Sequence, residues 1–262
     1  MAANFDWSPG SRLEILTVAP TDVDLYGGPF AAFEDFGPID ELHRQMDRER
    51  EAILDEAMTR LGRDDLDVHT RRPEGGPAPR IVEEAEWMSA DLIILGARGH
   101  GAVERVLIGS VSSEVVDHAH CPVLVARGGA ARRVLVGTDG SDQAMSAVTF
   151  IAESGLFRTA EIRVIDAVDL QPAWWLGFAA ESASVASEAY TSALATARER
   201  AVAATSAACA VLEAAGFDVS TCVREGRPAA TILDEAASWG ADLVVVGTRG
   251  HGIIKEIFLG ST

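Results

Sequence analysis

Short apolar runs alternate with amphipathic stretches along most of this 262-residue chain. The apolar runs are rich in β-branched residues and bounded by turn residues, which is typical of buried parallel strands. The amphipathic stretches repeat apolar residues three and four positions apart, which predicts helices with one face on a core. Strands are expected near residues 12–19, 66–70, 92–95, 121–126, 134–137, 161–168, 218–223 and 243–246, and helices near 39–61, 77–88, 110–119, 142–154, 183–215 and 228–239. This alternation predicts an α/β fold with parallel sheets and helices on both faces.

The second half of the chain repeats the first. Residues 75–110 align without a gap with residues 226–261, and 16 of the 36 positions are identical. Asp91 and Asp242 are one identical pair, and an RGHG turn occurs in both copies. Repeats of this length predict two tandem domains of ordinary size.

We place the two units at residues 1–127 and 132–262, each an open parallel sheet of Rossmann-like type. The copies are incomplete in complementary ways. VLVGTDGS, which begins at Val134, has no counterpart in the first copy, and CPVLVA, which begins at Cys121, has none in the second. We therefore expect the first unit to lack its first strand and most of its first helix. The second is expected to lack its last helix and last strand.

Charge and composition restrict the classes of partner. The formal net charge is -18, whereas binding to a nucleic-acid backbone needs a basic face, so we expect no nucleic acid partner. No apolar stretch is long enough to span a membrane, and the N-terminus lacks the pattern of a signal peptide. The three cysteines have no metal-type spacing and fit a reducing compartment. These features predict a cytoplasmic protein.

Each copy carries a glycine-rich turn directly after an apolar strand, with the spacing G-x-x-G-x9-G-S. Glycine lets backbone N–H groups approach a ligand closely. The serine is expected to cap the following helix, whose N-terminus attracts phosphate. The pattern predicts a phosphate cradle at the carboxyl end of a strand. Its residues are Gly96, Gly99, Gly109 and Ser110 in the first copy and Gly247, Gly250, Gly260 and Ser261 in the second.

The RGHG turns add charged side chains to both cradles, with Gly101 and Gly252 as their last residues. Arg98 and Arg249 can bind phosphate oxygens as charge-assisted donors, or can simply be solvated. The two histidines can in principle transfer protons, but neither has an acidic neighbour in the motif. We therefore interpret them as solvated side chains within the cradle. They are His100 and His251.

These motifs, together with VGTDGS and HCPVLVA, resemble those of the universal stress protein family, in its ATP-binding tandem-domain branch. The resemblance implies open five-stranded parallel sheets of the nucleotide-binding α-hydrolase type, with ATP across the carboxyl ends of the strands. It implies that Gly137 and Asp139 lie on the adenine and ribose side and that Ala167 and Val168 line the base. The phosphate residues it implies are Gly96, Gly99, Gly109, Ser110, Val111 and Ser112 in the first unit and Gly247, Gly250, Gly260, Ser261 and Thr262 in the second.

We therefore expect an ATP-binding stress-response protein in which ATP, with Mg²⁺ on its phosphates, biases conformation or assembly. No catalytic residue and no protein metal site is expected, and at most weak ATPase activity. Asp139 has a second interpretation as a turn residue that caps the next helix. One alternative is a slow ATP hydrolase or an enzyme that transfers adenylate or phosphate; another is a nucleotide-free dimerisation scaffold. A homodimer, or pairing of the two units within one chain, is expected.

Overall fold

The computed structural model describes residues 2–19, 39–97, 109–127, 129–169 and 183–247. The chain forms two compact units, Met1–Gly128 (unit one) and Gly129–Thr262 (unit two). Strands and helices alternate in both units, and every strand pairing among these residues is parallel. The α/β class predicted from the sequence is thereby confirmed. None of the helices in this described part of the chain is both long and apolar enough to cross a membrane.

The described part of unit one contains four strands and three helices, after a 3-10 turn at Ala2–Asn4. In chain order they are β1 (Arg12–Leu16), α1 (Ile39–Leu61), β2 (Asp67–Arg71), α2 (Pro77–Trp87), β3 (Ile93–Gly96), α3 (Ser110–His118) and β4 (Val123–Ala126). In unit two they are β5 (Arg133–Gly137), α4 (Asp142–Ser154), β6 (Glu161–Val168), α5 (Ala183–Ala214), β7 (Val219–Glu225), α6 (Pro228–Trp239) and β8 (Leu243–Val245).

Residues at the helix ends explain where the helices begin and stop. Pro77 and Pro228 stand in the first turn of α2 and α6, where a missing N–H group costs nothing. Ser141 caps α4, because its Oγ accepts the N–H of Ala144 at 3.3 Å. Gly155 ends the same helix with φ +70°, a left-handed conformation that favours glycine.

Unit two contains a four-stranded sheet in the order β7-β6-β5-β8. In the central strand β5, Val136 pairs with Val164 of β6 on one side and Val245 of β8 on the other. Val134, Leu135 and Val136 are 0% exposed, as expected for a strand covered on both faces. The core of the unit is therefore centred on β5.

In unit one, the four described strands form two separate pairs. β1 pairs with β2, from Arg12 opposite Asp67 onward, and β3 pairs with β4, from Ile93 opposite Val123 onward. No strand among the described residues joins the two pairs. The open sheet expected for this unit is thus present as two pairs, because a counterpart of β5 is not found among the described residues.

The sequence repeat is also a repeat in three dimensions. Gly75 and Gly226 have φ angles of +134° and +139°. The N–H of Gly75 donates to the carbonyl of Ala19 at 2.8 Å, and that of Gly226 donates to the carbonyl of Val168 at 3.1 Å. Both units therefore tie the end of one strand to the turn after its neighbour in the same way.

In each unit, a glutamate on one helix, α2 in unit one and α6 in unit two, forms ion pairs with arginine side chains. In unit two, Glu235 of α6 lies 2.7 Å from Arg163 and 3.2 Å from Arg224. Burial disfavours the ionised form of Glu235, but hydrogen bonds from both arginines outweigh it and lower its pKa. In unit one, the equivalent Glu84 lies 2.6 Å from Arg71. These ion pairs attach α2 and α6 to their sheets.

Candidate functional site

The carboxyl edge of the unit-two sheet contains a reversal of strand order. The chain leaves β5 and builds β6 and β7 on one side, then crosses to build β8 on the other. In open α/β sheets, ligands bind in the crevice that such a reversal opens beyond the carboxyl ends of the strands. Gly137, Val168 and Gly247 lie at or just beyond these ends. This edge is the candidate site.

Asp139 follows β5 in a hydrogen-bonded turn. Its Oδ1 accepts the N–H of Ser141 at 2.9 Å, and the N–H of Thr138 donates to the carbonyl of Ile165 at 2.9 Å. Ser141 in turn caps α4. Asp139 is therefore a turn residue, as its second interpretation held, but Ser141 and not Asp139 caps α4. The same bonds fix the orientation of the half-buried Asp139 carboxylate.

Asp166 is a second carboxylate at this edge, and the sequence analysis did not identify it. It is half-buried near the end of β6, between Ile165 and Ala167. Burial raises its pKa to about 6, with a further contribution from the negative charge of Asp139 and an opposing one from the N–H of Ala167. The available signal was a carboxylate near the carboxyl end of a mostly apolar strand, and carboxylates with perturbed pKa values are candidates for functional sites.

Gly247 of the predicted cradle and Gly137 of the predicted adenine and ribose side both lie in close packing. A Cβ atom on Gly247 would lie 3.0 Å from the backbone nitrogen of Ala144, in the first turn of α4. A Cβ atom on Gly137 would lie 3.0 Å from Val246 Cγ1 and 3.1 Å from Ile232 Cδ1. Both glycines therefore let the walls of the site approach each other, whether or not a ligand is present.

The base-lining residues taken from the family resemblance lie at the end of β6. Val168 is 7% exposed and its carbonyl holds the turn at Gly226. Ala167 is half-buried beside it. The structure thus brings Gly137, Asp139, Ala167, Val168 and Gly247 to one edge of one sheet.

In unit one, the described part of the cradle is the start of α3. The helix cap is Gly109, with no side-chain cap bond, so the prediction that Ser110 caps this helix is wrong. Gly109 already has the extended backbone of a cap, and its N–H donates to the carbonyl of Ala97 at 3.0 Å. Ser110 is the first helical residue instead.

Ser112 has a structural partner. Its Oγ donates to the carbonyl of Gly96 at 2.9 Å, and the residue is 5% exposed. This bond attaches the start of α3 to the end of β3. The hydroxyl proton of Ser112 is thereby engaged within the protein, whereas Ser110 is exposed and Val111 is half-buried. The backbone amides of this first turn remain the donors suited to an anion.

The remaining cradle residues lie outside the described residues. In unit one they are Arg98, Gly99, His100 and Gly101, and in unit two they are Arg249, Gly250, His251, Gly252, Gly260, Ser261 and Thr262. Their roles stay predictions. The described geometry therefore covers the nucleoside side of the predicted site in unit two and part of the phosphate side in unit one.

Parallel sheets with this strand order, and glycines at the carboxyl edge, define the class of open α/β proteins with a ligand crevice. A family model described as "Universal stress protein family" matches residues 1–127 and 130–262. The chain therefore belongs to the universal stress protein family, and the resemblance seen in the motifs is confirmed.

Curated relatives match parts of the chain. A universal stress protein of Thermus aquaticus is 37% identical over 118 residues, which cover 45% of this chain and 79% of that protein. One of Mycobacterium tuberculosis is 32% identical over 195 residues, covering 71% and 60%. One of Methanocaldococcus jannaschii is 52% identical over 60 residues, covering 23% and 35%. The matched part of this chain thus spans 35% to 79% of the length of these relatives.

Solved structures show the same fold. A universal stress protein from Archaeoglobus fulgidus superposes with a TM-score of 0.55 at 19% identity, covering 89% of this chain and 75% of that one. A protein of unknown function from Pseudomonas aeruginosa gives a TM-score of 0.51 at 17% identity, covering 94% and 85%. At these identities the likeness concerns the fold alone.

Proposed function

We propose that this protein binds ATP at the carboxyl edge of the unit-two sheet and that nucleotide occupancy biases its conformation or assembly. The observation that carries the proposal is the reversal of strand order at β5, with Gly137, Asp139 and Gly247 beyond the strand ends. A ligand changes conformation only as far as it binds two states with different affinity. ATP is therefore expected to act as a regulatory ligand.

The nucleoside side of the proposed site offers acceptors. Asp139 and Asp166 are close enough for the charge of one to raise the pKa of the other. Ribose hydroxyls and the adenine amino group are donors, and hydrogen bonds to a charged partner contribute about 1.5–3 kcal/mol each. The two carboxylates therefore fit the nucleoside end of ATP better than its phosphates.

The phosphate side relies on the backbone. In unit one, the first turn of α3 begins after Gly109 without a side-chain cap, which suits its amides to an anion. In unit two, we assign the phosphates to Gly247 and to the predicted residues Arg249, Gly250, His251, Gly252, Gly260, Ser261 and Thr262. An acidic chain needs such local donors, because its overall field repels a polyanion.

Mg²⁺ would accompany the phosphates. The described residues contain no group of three or more potential ligating side chains. In this proposal the ion is therefore held chiefly by phosphate oxygens, as is usual for Mg²⁺ with nucleotides. When bound, it would offset the negative charge that the chain itself does not neutralise.

The first test is the identity of any bound nucleotide. Protein purified without added nucleotide would be denatured with acid, and the released molecules analysed by liquid chromatography and mass spectrometry. ATP near one equivalent supports the proposal. ADP that accumulates when the protein is incubated with ATP favours the hydrolase alternative. A protein that neither retains nor takes up ATP at millimolar concentration favours the nucleotide-free scaffold.

The second test locates the site. Asp139→Asn keeps an oxygen for the Ser141 N–H but removes the charge, so we expect ATP affinity to fall about tenfold. Asp142→Asn is the matched control, since Asp142 is exposed in the first turn of α4. Isothermal titration of both variants measures the effect. Equal affinities for wild type and Asp139→Asn would count against this location.

A further inference from the structure

Asp166 interrupts a row of buried aliphatic residues on β6. Side chains two positions apart on a strand share a face of the sheet, and the residues at this spacing from Asp166 are Ile162, Val164 and Val168. These three residues are 0%, 0% and 7% exposed, whereas Asp166 is half-buried. Asp166 is therefore placed where the covered face of the sheet reaches its carboxyl edge.

Helix α5 covers the face of the sheet on which Asp166 lies. On the opposite face of β6, Arg163 binds Glu235 of α6 at 2.7 Å. Glu225 of β7 lies on the Asp166 face and forms an ion pair with Arg198 of α5. Since α5 also packs against both β6 and β7, each face of this part of the sheet is assigned to one helix.

The turn after β5 is attached to the same face. The N–H of Thr138 donates to the carbonyl of Ile165 at 2.9 Å, which continues the β5–β6 ladder and places Thr138 beside Asp166. Thr138 is 5% exposed, and its Oγ1 accepts the N–H of Gly140 at 3.2 Å. A Cβ atom on Gly140 would lie 3.1 Å from Ala204 Cβ of α5. The turn therefore lies against α5 on the face that carries Asp166.

The two carboxyl groups at this edge have different surroundings. Asp139 accepts the N–H of Ser141 at 2.9 Å. Burial and the negative charge of Asp139 both raise the pKa of Asp166, to about 6, and the N–H of Ala167 opposes this shift. Asp139 therefore acts as an acceptor, whereas Asp166 is the member of the pair that protonates readily.

Ion pairs engage the charged side chains that β7, α5 and α6 contribute around β6. These pairs join Glu225 to Arg198 on the Asp166 face, and Glu235 to Arg163 and Arg224 on the opposite face. Among the described residues, the charge that shifts the pKa of Asp166 is that of Asp139. Two carboxyl groups held apart in this way can take different roles, one as an acceptor and one as a proton donor.

We propose that Asp166 binds the adenine base of ATP as a neutral carboxyl group. Its carbonyl oxygen accepts a hydrogen bond from the 6-amino group, and its O–H donates to the ring nitrogen beside that group, N1 or N7. Ala167 and Val168, which directly follow Asp166, are the residues expected to line the base. This inference rests on the proposed nucleotide site and adds a proton to it. The protein takes that proton from solvent wherever Asp166 is ionised before ATP binds.

The charge state of Asp166 then controls the affinity for ATP. An ionised carboxylate has no proton to donate, so it leaves the lone pair of the ring nitrogen unmatched. With a pKa of about 6, the neutral fraction of Asp166 falls from about three quarters at pH 5.5 to about 3% at pH 7.5. Since affinity follows the fraction of protein that is competent to bind, it should fall by up to about 25-fold over this range.

The test is isothermal titration of the full chain with ATP in excess Mg²⁺ between pH 5.5 and 7.5. Asp166→Asn has an amide that both donates and accepts at every pH, so this variant should lose the fall in affinity. Asp142→Asn is the matched control, because Asp142 is exposed in the first turn of α4, and it should keep the pH dependence of wild type. Buffers of different ionisation enthalpy should show about one proton taken up per ATP at pH 7.5 in wild type and less in Asp166→Asn.

Asp166→Ala separates a contact with the base from simple repulsion of the phosphates. If the carboxylate only repelled ATP, alanine would raise the affinity at pH 7.5. If the neutral group binds adenine, alanine should weaken binding about tenfold at pH 5.5. Two ATP analogues, with a carbon atom in place of N1 or of N7, identify the acceptor, and one of them should lose affinity by a similar factor.

Three results would overturn the inference. The first is a wild-type affinity that changes with pH no more than that of Asp166→Asn, which would leave ATP binding itself intact. The second is Asp166→Ala binding ATP at pH 5.5 as tightly as wild type, which would show that Asp166 does not contact the base. The third is no binding of ATP at any pH, which would overturn the proposed function as well.

Discussion

The two units share local structure but differ in enclosure. Their turns at Gly75 and Gly226 have nearly the same backbone angle and the same hydrogen bond. Yet Ile162 of β6 is 0% exposed, while Leu13, at the same place in β1, is half-buried. Turn geometry is therefore set by nearby sequence, whereas strand burial depends on whether a central strand lies alongside. The comparison separates these two contributions to the fold.

The largest expected difference concerns these equivalent strand positions. Ile162→Ala should destabilise unit two by about 3 kcal/mol, since it removes a fully buried side chain and leaves a cavity. Leu13→Ala should destabilise unit one by about 1 kcal/mol, because less apolar surface is buried there. Hydrogen exchange measured for each unit separately gives both values. Equal costs would show that β1 is as enclosed as β6.

The shared turns should respond alike. Gly226→Ala and Gly75→Ala each force a non-glycine residue to φ near +139° or +134°, so each should cost about 2 kcal/mol in its own unit. The added Cβ atoms would lie 2.9 Å from Arg80 Cγ and 2.7 Å from Thr231 Oγ1, so steric overlap adds to the backbone strain. Gly76→Ala is the control. Gly76 has φ -65° and ordinary contacts at 3.6 Å, so its replacement should cost less than about 1 kcal/mol, as alanine does at an N-cap.

The hydrogen bonds that Asp242 accepts at the start of β5 should stabilise unit two, whereas the equivalent Asp91 should contribute little to the stability of unit one. Asp242→Ala removes the acceptor for the N–H groups of Arg132 and Arg133, and should cost about 1.5 kcal/mol in unit two. Asp91→Ala should cost less than about 0.5 kcal/mol in free protein, as surface substitutions usually do. Thermal unfolding of each variant, combined with hydrogen exchange measured separately for the two units, shows which unit each substitution destabilises. A large effect of Asp91→Ala alone would mean that Asp91 already holds a strand.

The helices and strands were largely predictable because their ends carry strong local signals. Helices at Ile39–Leu61, Asp142–Ser154 and Pro228–Trp239 have the predicted bounds. The periodicity of apolar residues predicts each helix, and proline, serine or glycine marks where the helix begins or ends. The strand predicted over residues 12–19 ends earlier, at Leu16, because only the bridge from Ala19 to Glu74 continues the pairing. Such a termination depends on the neighbouring strand.

The site was less predictable because it depends on contacts between distant residues. Asp139 was identified from a motif, but Asp166 was missed, since only the sheet brings the two carboxylates near each other. The cap at Gly109 was missed for a similar reason, because the start of α3 is positioned by contacts with the end of β3. Ser112 binds the carbonyl of Gly96, and this contact across the strand end cannot be seen in the local sequence.

The last expected effect depends on pH and concerns Asp166. Its folded pKa, about 6, lies above the ordinary value of 3.8, so the folded state disfavours the ionised form. The resulting penalty is absent well below pH 3.8, grows between pH 3.8 and 6, and is complete above pH 6. Because the group is half-buried and screened by solvent, we take the full penalty as about 1 kcal/mol.

Asp166→Asn should therefore stabilise nucleotide-free unit two by about 1 kcal/mol at pH 8, and the gain should shrink as the pH falls toward 4. Urea unfolding monitored by hydrogen exchange across this pH range measures the difference. Introducing Asp139→Asn as well should reduce the gain, because the charge of Asp139 contributes to the raised pKa. A gain that is constant with pH would mean that Asp166 has the same pKa in the folded and the unfolded protein. The two carboxylates would then titrate independently, and the carboxyl edge of the unit-two sheet would lack electrostatic coupling between Asp139 and Asp166.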